Sequence, residues 1–468
     1  MAGQKRILLL GSGFVASPCV EYLARDKNNV VTIGVTKFAI QTYKSDFVAC
    51  RGIEKAQKLA SAFPGVLSAS VDVSNEAQLD EAISKCDVVI SLIPYTFHAQ
   101  VIKSAIKYKK HVVTTSYVSP AMMELDQACK DAGIICLNEV GLDPGIDHFY
   151  ALKTIDEVHS KGGKIISFLS YCGGLPAPEA SNNPLGYKFS WSARGVLLAL
   201  LNNAKYWENG KIVEIQGKEL MKSAKPIFIY PGFALVGYPN RDSTSYKERY
   251  NIPEAQTILR GTLRYQGFPE FVKALVDIGF LNSENQSILS ASNTEPLFWN
   301  QLTANLLNSS STNSSDLLEK VNEKIVTDDA ELRSRILAGV KWLGVLSDEI
   351  QVKKAGTYLD TLCARLEELM QYGPGERDLV ILQHKFQVEN ADGSMVTKTS
   401  TLVDFGIPDG VTSMAKTVGV PCGIATQLVL DGKISRTGVL APLTPDIYEP
   451  IMNTLAGEGV YCVEETLI

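Results

Sequence analysis

Long hydrophobic runs are missing from this chain: no apolar stretch approaches the roughly 18 residues that a membrane-spanning helix needs, so no membrane partner is expected. An excess of positive charge is missing too. With 45 Lys and Arg against 51 Asp and Glu, the net charge of −6 argues against a nucleic-acid binder, which needs basic residues clustered on one face. The nine cysteines form no CxxC pair and no regular spacing, and several sit in apolar runs such as IICLNEV. Buried free thiols in a reducing compartment are the expectation. None of the five histidines stands at ligand spacing from another His or Cys, so no metal site is expected. The opening MAGQKRILLLG enters a strand at once and leaves no room for a signal peptide, which points to the cytoplasm.

What is present is an ordinary globular composition, 45% apolar and 21% charged. At 468 residues the chain exceeds what one hydrophobic core supports, and two or three domains follow. From Lys5 the pattern is strand, turn and helix, repeated. RILLLG is a wholly apolar run, suited to a parallel strand covered on both faces, and FVASPCVEYLARD then spaces its apolar residues helically. VLSASVDV, DVVISLIP, HVVTTSY and IICLNEVG repeat the strand, with helical segments between them; SPAMMELDQACKDAG reads as one helix. The fold class is therefore α/β, with a Rossmann-type doubly wound parallel sheet first in the chain.

The first turn, GSGFVA, places Gly11, Gly13 and Ala16 in the G-x-G-x-x-A pattern, with Ser12, Phe14 and Val15 completing the loop. Gly11 permits the tight turn, Gly13 lets backbone amides approach a pyrophosphate at the helix N-terminus, and Ala16 allows close helix–strand packing. Because ligands of parallel sheets bind at the carboxyl ends of strands, Asp72-Val73 could face an adenine and Ile93-Pro94-Tyr95 the pyrophosphate side. Asp72 could equally cap the next helix, and Pro94 could simply end its strand.

Read together, LLLGSGFVA, DVVISLIPYTFHAQVIKSAIK, NEVGLDPGIDH, SFLSYCGGLPAPEASNNPLGYKFSWSARGVLLAL, IYPGFALVGYPNRDST, IPEAQTILRGTLRYQGFPEFVKALVD and STLVDFG resemble the fungal saccharopine reductases, the NADP-dependent, L-glutamate-forming saccharopine dehydrogenases. The resemblance runs in order along most of the chain and exposes one departure. In the family the second strand passes straight into V-A-C-R, whereas here about fifteen residues, 33–47 (IGVTKFAIQTYKSDF), intervene. Such a piece is what unspliced message would add; if genuine, it should bulge from the sheet edge. The resemblance makes Arg51, with Cys50 beside it, the reader of the cofactor ribose, and an arginine there pairs with a 2′-phosphate, favouring NADP(H) over NAD.

The resemblance further implies a substrate with three carboxylates and two nitrogens, which calls for arginines, hydroxyls and helix N-termini. Ser116 and Tyr117 would lie beside the nicotinamide. Leu142, Asp143 and Pro144 would border it, with Asp143 touching substrate, although Asp143 could instead be a helix N-cap. Ser192 would approach the cofactor from the second domain. Arg241 and the run Thr262-Leu263-Arg264 would hold carboxylates, while Arg260 could be a simple surface charge and is given no role. The implied reaction is condensation of L-glutamate with 2-aminoadipate 6-semialdehyde and reduction of the imine by NADPH, in fungal lysine biosynthesis. Candidates for its proton transfers are Tyr117, Asp143 and Cys172; Cys172 also suits a packed strand-end thiol, and His148 is as readily structural.

In the remaining sequence, KIISFLSYCGG and KIVEIQ read as strands around a helix SARGVLLALLNNAKYW, and EFVKALVDIGF, AELRSRILAGVKWLGVL and YLDTLCARLEELMQY as helices. NLLNSSSTNSSD reads as a polar surface loop between them. DLVILQHKFQVENADGSMVTKTSTLVDFG reads as two strands about Asp392-Gly393. The final segment reads as helix, helix, strand and should rejoin the nucleotide domain. The expected domains are a dinucleotide-binding domain of residues 1–145 plus about 412–468, a mixed α/β substrate-binding and dimerisation domain of 146–265 plus about 375–411, and a mostly helical domain of 266–374. The family suggests a homodimer. An NAD-preferring saccharopine dehydrogenase of lysine degradation and a non-catalytic NADP-binding sensor are the competing readings.

Overall fold

The computed structural model describes residues 4–36, 53–190 and 192–467. The chain divides into two compact units, Met1–Lys164 with Glu389–Ile468, and Ile165–Val388.

The first unit opens with β1 (Lys5–Leu10), α1 (Ala16–Ala24), β2 (Asn29–Thr36), α2 (Ile53–Ser61), β3 (Leu67–Val71), α3 (Glu76–Ser84), β4 (Val88–Ser91), α4 (His98–Tyr108), β5 (His111–Thr114), α5 (Pro120–Met123), α6 (Asp126–Ala132), β6 (Ile135–Leu137) and α7 (Ile146–Ser160). The second unit holds β7 (Lys164–Pro176), α8 (Ala193–Ala199), β8 (Ala204–Glu208), β9 (Lys211–Ile215), β10 (Lys225–Ile227), β11 (Leu235–Pro239), α9 (Tyr246–Arg249), β12 (Thr257–Tyr265), α10 (Phe268–Ile278), α11 (Trp299–Leu306), α12 (Ser314–Lys324), α13 (Ala330–Leu343), α14 (Tyr358–Leu369) and β13 (Asp378–Glu389). The chain then returns to the first unit through β14 (Met395–Phe405), α15 (Ser413–Leu430), β15 (Gly438–Leu440), α16 (Pro445–Gly457) and β16 (Val463–Leu467).

In the first unit seven strands lie in the order β15-β6-β5-β4-β1-β2-β3, and each neighbouring pair is parallel. This is the doubly wound sheet anticipated from the alternating pattern. The central strands are apolar along their whole length because both faces are covered: Ile7, Leu8, Leu9, Leu10 and Val88, Val89, Ile90 are all buried.

Residues 33–36 depart from expectation. Instead of leaving the sheet, they continue β2, with Ile33 opposite Leu9 and Ser68, Gly34 opposite Leu10 and Ala69, and Thr36 opposite Val71. Ile-Gly-Val-Thr contains β-branched residues and neither proline nor charge, so it extends a parallel strand as readily as the family's Val-Ala-Cys-Arg. The rest of the intervening piece lies outside the described residues.

Other differences are local. The helix expected over SPAMMELDQACKDAG is broken into α5 and α6, each with its own start: Ser119 caps α5 ahead of Pro120, and Gly133 closes α6 in the left-handed region. In SARGVLLALLNNAKYW only Ala193–Ala199 is helical, and AKYWE forms β8 against β9; β9's alternation gives β8 a partner that local propensity could not reveal. The polar stretch 305–316 is shorter as a loop than expected, because Asn313 caps α12 through Ser315 N–H. The Asp392-Gly393 signal is a tight turn, with Gly393 at φ +83° and Asn390 N–H donating to Ser394 O. The last strand does not rejoin the parallel sheet: β16 pairs antiparallel with β14, and the strand added to the sheet edge is β15.

In the second unit β12 is central, parallel to β7 and antiparallel to β11, with β10 beyond β11. The helices α8 and α10–α14 gather a separate core, in which Phe268, Phe271, Phe280, Trp299 and Leu366 are buried.

α15 is laid against α1 at two glycines. A Cβ at Gly419 would meet Val15 O at 2.5 Å, and one at Gly423 would meet Tyr22 and the Cys19 carbonyl at 3.1–3.3 Å. Gly419→Val is expected to lower stability by about 1–3 kcal/mol, the usual cost of overpacking, with the shift read in the midpoint of urea unfolding.

Candidate active site

The turn between β1 and α1 fits a pyrophosphate. Gly11 is at φ +116° and a Cβ there would stand 2.8 Å from Leu92 O, so only glycine fits, while its N–H donates to Gly34 O at 3.0 Å. Around Gly13 nothing lies within 4 Å of where a Cβ would be. The N-terminus of α1 has no side-chain cap; Ala16 N–H donates to Gly13 O at 3.2 Å and Pro18 has no N–H, so a pyrophosphate there would draw mainly on the amides of the glycine turn itself. Phe14 and Tyr95, each more than half exposed, are large apolar side chains at the ends of β1 and β4. Ser12 and Val15 complete the turn; Ile93, after β4, and Val73, after β3, are buried, and Pro94 precedes a single 3₁₀ turn. Asp72 does not cap α3. Its carboxylate accepts from Ser74 N–H and Oγ, and the cap is Asn75, which accepts from Gln78 N–H. Cys50 and Arg51 lie outside the described residues.

The end of β5 carries the densest set of polar contacts in this unit's candidate site. His98 bridges strand ends, its Nδ1 2.9 Å from Ser91 Oγ and its Nε2 2.8 Å from Ser116 Oγ. Tyr117 donates to Asp143 Oδ1 at 2.6 Å. Asp143 is therefore not the N-cap of α7. That place belongs to Gly145, whose N–H is taken by Asp147 Oδ1 at 2.6 Å. The Leu142–Asp143–Pro144 turn is compact, with a cis Asp143–Pro144 bond and Gly141 N–H donating to Pro144 O at 3.0 Å. His148 is fully buried, its Nε2 2.7 Å from Glu139 Oε2.

In the second unit the parallel register of β7 and β12 puts Cys172 opposite Thr262, and Gly173 packs on Leu263 so closely that a Cβ would stand 2.7 Å from it. Arg264 follows, only 6% exposed, over the rings of Tyr187 (4.8 Å) and Phe268 (5.4 Å). One of its nitrogens donates to Leu263 O; its Nε is buried without a partner, and no carboxylate among the described residues pairs with it. A guanidinium stays charged, and a buried charge is costly unless an anion answers it. Arg260 is also buried, not a surface charge: it donates to Tyr246 OH and lies 4.5 Å over that ring. Arg241 is exposed in the loop after β11, at φ +52°. Ser192 caps the short helix α8 through Gly195 N–H.

Among the described residues no group of three or more His, Cys, Asp or Glu could hold a metal ion, and no helix is long and apolar enough to cross a membrane. The described cysteines form no disulfide, and all except the half-buried Cys172 are buried.

Residues 7–137 match the saccharopine dehydrogenase NADP binding domain, and residues 141–460 the saccharopine dehydrogenase C-terminal domain. The chain belongs to the saccharopine dehydrogenase family. It is 57% identical over 461 residues to the saccharopine dehydrogenase [NADP(+), L-glutamate-forming] of Schizosaccharomyces pombe, covering 98% of this chain and 99% of that protein. The enzyme of that name from Saccharomyces cerevisiae is 55% identical over 464 residues, covering 99% of each chain. The structure of an apo saccharopine dehydrogenase (L-Glu forming) from Saccharomyces cerevisiae superposes with a TM-score of 0.90 at 54% identity, covering 99% of this chain and all of that one. The cofactor of this family member is NADP(H), in keeping with the open Gly13 turn.

Sequence reasoning missed His98 and Glu139. The only available signal was a lone His in TFHAQ and a lone Glu in the apolar strand end LNEVG, neither of which names its partner.

Two outcomes are expected. Burial pushes His98 down to about 4 from the 6.5 of a free imidazole, so the folded protein keeps it neutral where the unfolded chain would protonate it. Stability is therefore undiminished above pH 6.5 and falls between pH 6.5 and 4, with a slope from this group of at most about 1.4 kcal/mol per pH unit. Urea unfolding across that range should show the slope, and His98→Asn should remove this contribution. Arg264→Met replaces an unanswered buried charge by an apolar chain, and should leave the melting temperature unchanged or raised while saccharopine binding, followed calorimetrically, falls at least about 100-fold.

Proposed function

We propose that this protein condenses L-2-aminoadipate 6-semialdehyde with L-glutamate and reduces the product to saccharopine, reversibly, with NADPH, in lysine biosynthesis by the aminoadipate route. The observation that carries the substrate class is Arg264, a buried cation with no counter-ion among the described residues. Its planar fork suits a substrate carboxylate held bidentately. Arg241, Thr262 and Leu263 are proposed as further substrate contacts, as are Ser116, Tyr117 and Asp143.

For the cofactor, we assign the pyrophosphate to Gly11, Ser12, Gly13, Phe14 and Val15; the adenine side to Asp72 and Val73; and Ile93, Pro94 and Tyr95 to the strand end beside the pyrophosphate. Arg51, with Cys50, is assigned the 2′-phosphate, and Ser116, Leu142, Asp143, Pro144 and Ser192 the nicotinamide surroundings. The bound cofactor supplies or receives the hydride.

The proton chemistry belongs to Tyr117 and Asp143. In the oxidative direction the secondary ammonium of saccharopine must lose a proton before its carbon can give up hydride. The phenol of Tyr117 passes its own proton to the Asp143 carboxylate, to which it already donates, and takes the substrate's in exchange. Such assistance contributes about 10²- to 10⁴-fold. Cys172 is a third candidate, next to Thr262 on the neighbouring strand. The protein is further proposed to be cytoplasmic and a homodimer. Its proposed working division is a nucleotide domain (1–145 plus about 412–468), a substrate and dimer domain (146–265 plus about 375–411) and a helical domain (266–374).

The test is initial-rate formation of reduced cofactor from saccharopine with NADP⁺ and, separately, NAD⁺. Turnover preferring NADP⁺ is expected; preference for NAD⁺ favours the lysine-degrading reading, and cofactor binding without turnover favours a sensor. Deleting residues 33–47 puts Arg51 four residues after Thr32, the place Thr36 now holds in β2, and is expected to strengthen the preference for NADP⁺.

A further inference from the structure

We infer that Glu139 is a positioning residue, holding the turn that carries Tyr117 while His148 holds Glu139; this rests on the reading that Tyr117 and Asp143 serve the reaction. Glu139 is fully buried and grips both neighbours of Tyr117. Its backbone N–H donates to Ser116 O at 3.2 Å, and its Oε1 accepts from Val118 N–H at 2.9 Å. The second carboxylate oxygen stands 2.7 Å from Nε2 of His148, itself fully buried in α7. α7 begins just after the 141–145 turn that presents Asp143, so one carboxylate ties the carrier of Tyr117 to the element that follows Asp143.

The backbone points the same way. Glu139 sits at φ +60°, a left-handed conformation that a non-glycine residue adopts only when its surroundings require it. A buried carboxylate is retained where its hydrogen bonds are charge-assisted, and here the bonds converge on a three-residue turn of the candidate site. His98 fixes the same turn from the other side through Ser116 Oγ. With Ser116 and Val118 held, the backbone that carries Tyr117 is fixed, and from it the phenol donates to Asp143. Proton transfer needs heavy atoms within about 3 Å, and a misplacement of about 1 Å costs on the order of 100-fold in rate.

The experiment compares Glu139→Asp, Glu139→Gln and Tyr117→Phe in the full-length protein. Aspartate keeps the charge but withdraws it by about 1.5 Å, one C–C bond; glutamine keeps the acceptor for Val118. E139D is expected to lower kcat for saccharopine at least about 30-fold with KM for NADP⁺ within about threefold, and E139Q to recover most of that loss. In E139D/Y117F the losses should not add, because Glu139 acts through Tyr117. Additive losses, or the parent's kcat in E139D, would overturn the proposal. A second readout does not depend on turnover: amide exchange in the peptide covering residues 114–119 should speed up in E139D while that of β1 does not. Unchanged exchange there overturns the hold. An inactive parent protein counts against the proposed function instead, and exchange still decides the role of Glu139.

Discussion

In the parallel sheet of the first unit every paired strand ends toward the same side, and the chemistry of that unit depends on how those ends are tied together. A parallel strand leaves its last backbone groups without the hairpin that would close an antiparallel pair. Here they are answered by specific partners. Gly11 N–H reaches Gly34 O, and the side-chain hydroxyls of Ser91 and Ser116, each at or just past a strand end, share His98. Glu139, beyond β6, takes Val118 N–H and gives its own N–H to Ser116 O. The same ties that satisfy the backbone place the open glycine turn and the Tyr117–Asp143 pair. α15 serves the arrangement from outside the first βα repeats, since its two glycines let it press directly on α1, whose N-terminus borders the phosphate turn.

The second unit meets a different demand, the burial of cations. β12 is an interior strand between β7 and β11, and on one of its faces, four residues apart, two arginines are buried. Arg260 is answered by a tyrosine hydroxyl and ring. Arg264 has rings on two sides and a single carbonyl, but no anion among the described residues. Removing a guanidinium from water without a counter-ion costs several kcal/mol, which a stable fold tolerates when a ligand restores the balance. A carboxylate-rich substrate is such a ligand.

Much of the candidate site was legible in the sequence, but unevenly. Gly11 and Gly13 announced themselves because a phosphate turn has a local backbone requirement that only certain residues meet. Arg264 could be named by resemblance, whereas its burial and missing counter-ion needed the strand order. Arg260, four residues earlier on the same face, looked like a surface charge for the same reason. Asp72 and Asp143 both stood where a helix cap is plausible, yet the caps are Asn75 and Gly145, because capping is decided by the φ/ψ of one residue and not by proximity to a helix. His98 and Glu139 were invisible as a set, their partners being 18 and 21 residues away along the chain.

The sequence alone determined the alternation of strand and helix, the glycine turn and the apolar cores, since period, turn chemistry and burial are local properties of a few residues. Tertiary structure decided what pairing across the chain decides. It took residues 33–36 into β2, because their side chains suit a strand and the slot beside β1 and β3 accepts them. It made AKYWE a strand by supplying β9, and it sent β16 to β14 while β15 completed the parallel sheet. Hydrogen-bond partners distant in sequence carry no local signature, and only the folded chain could name them.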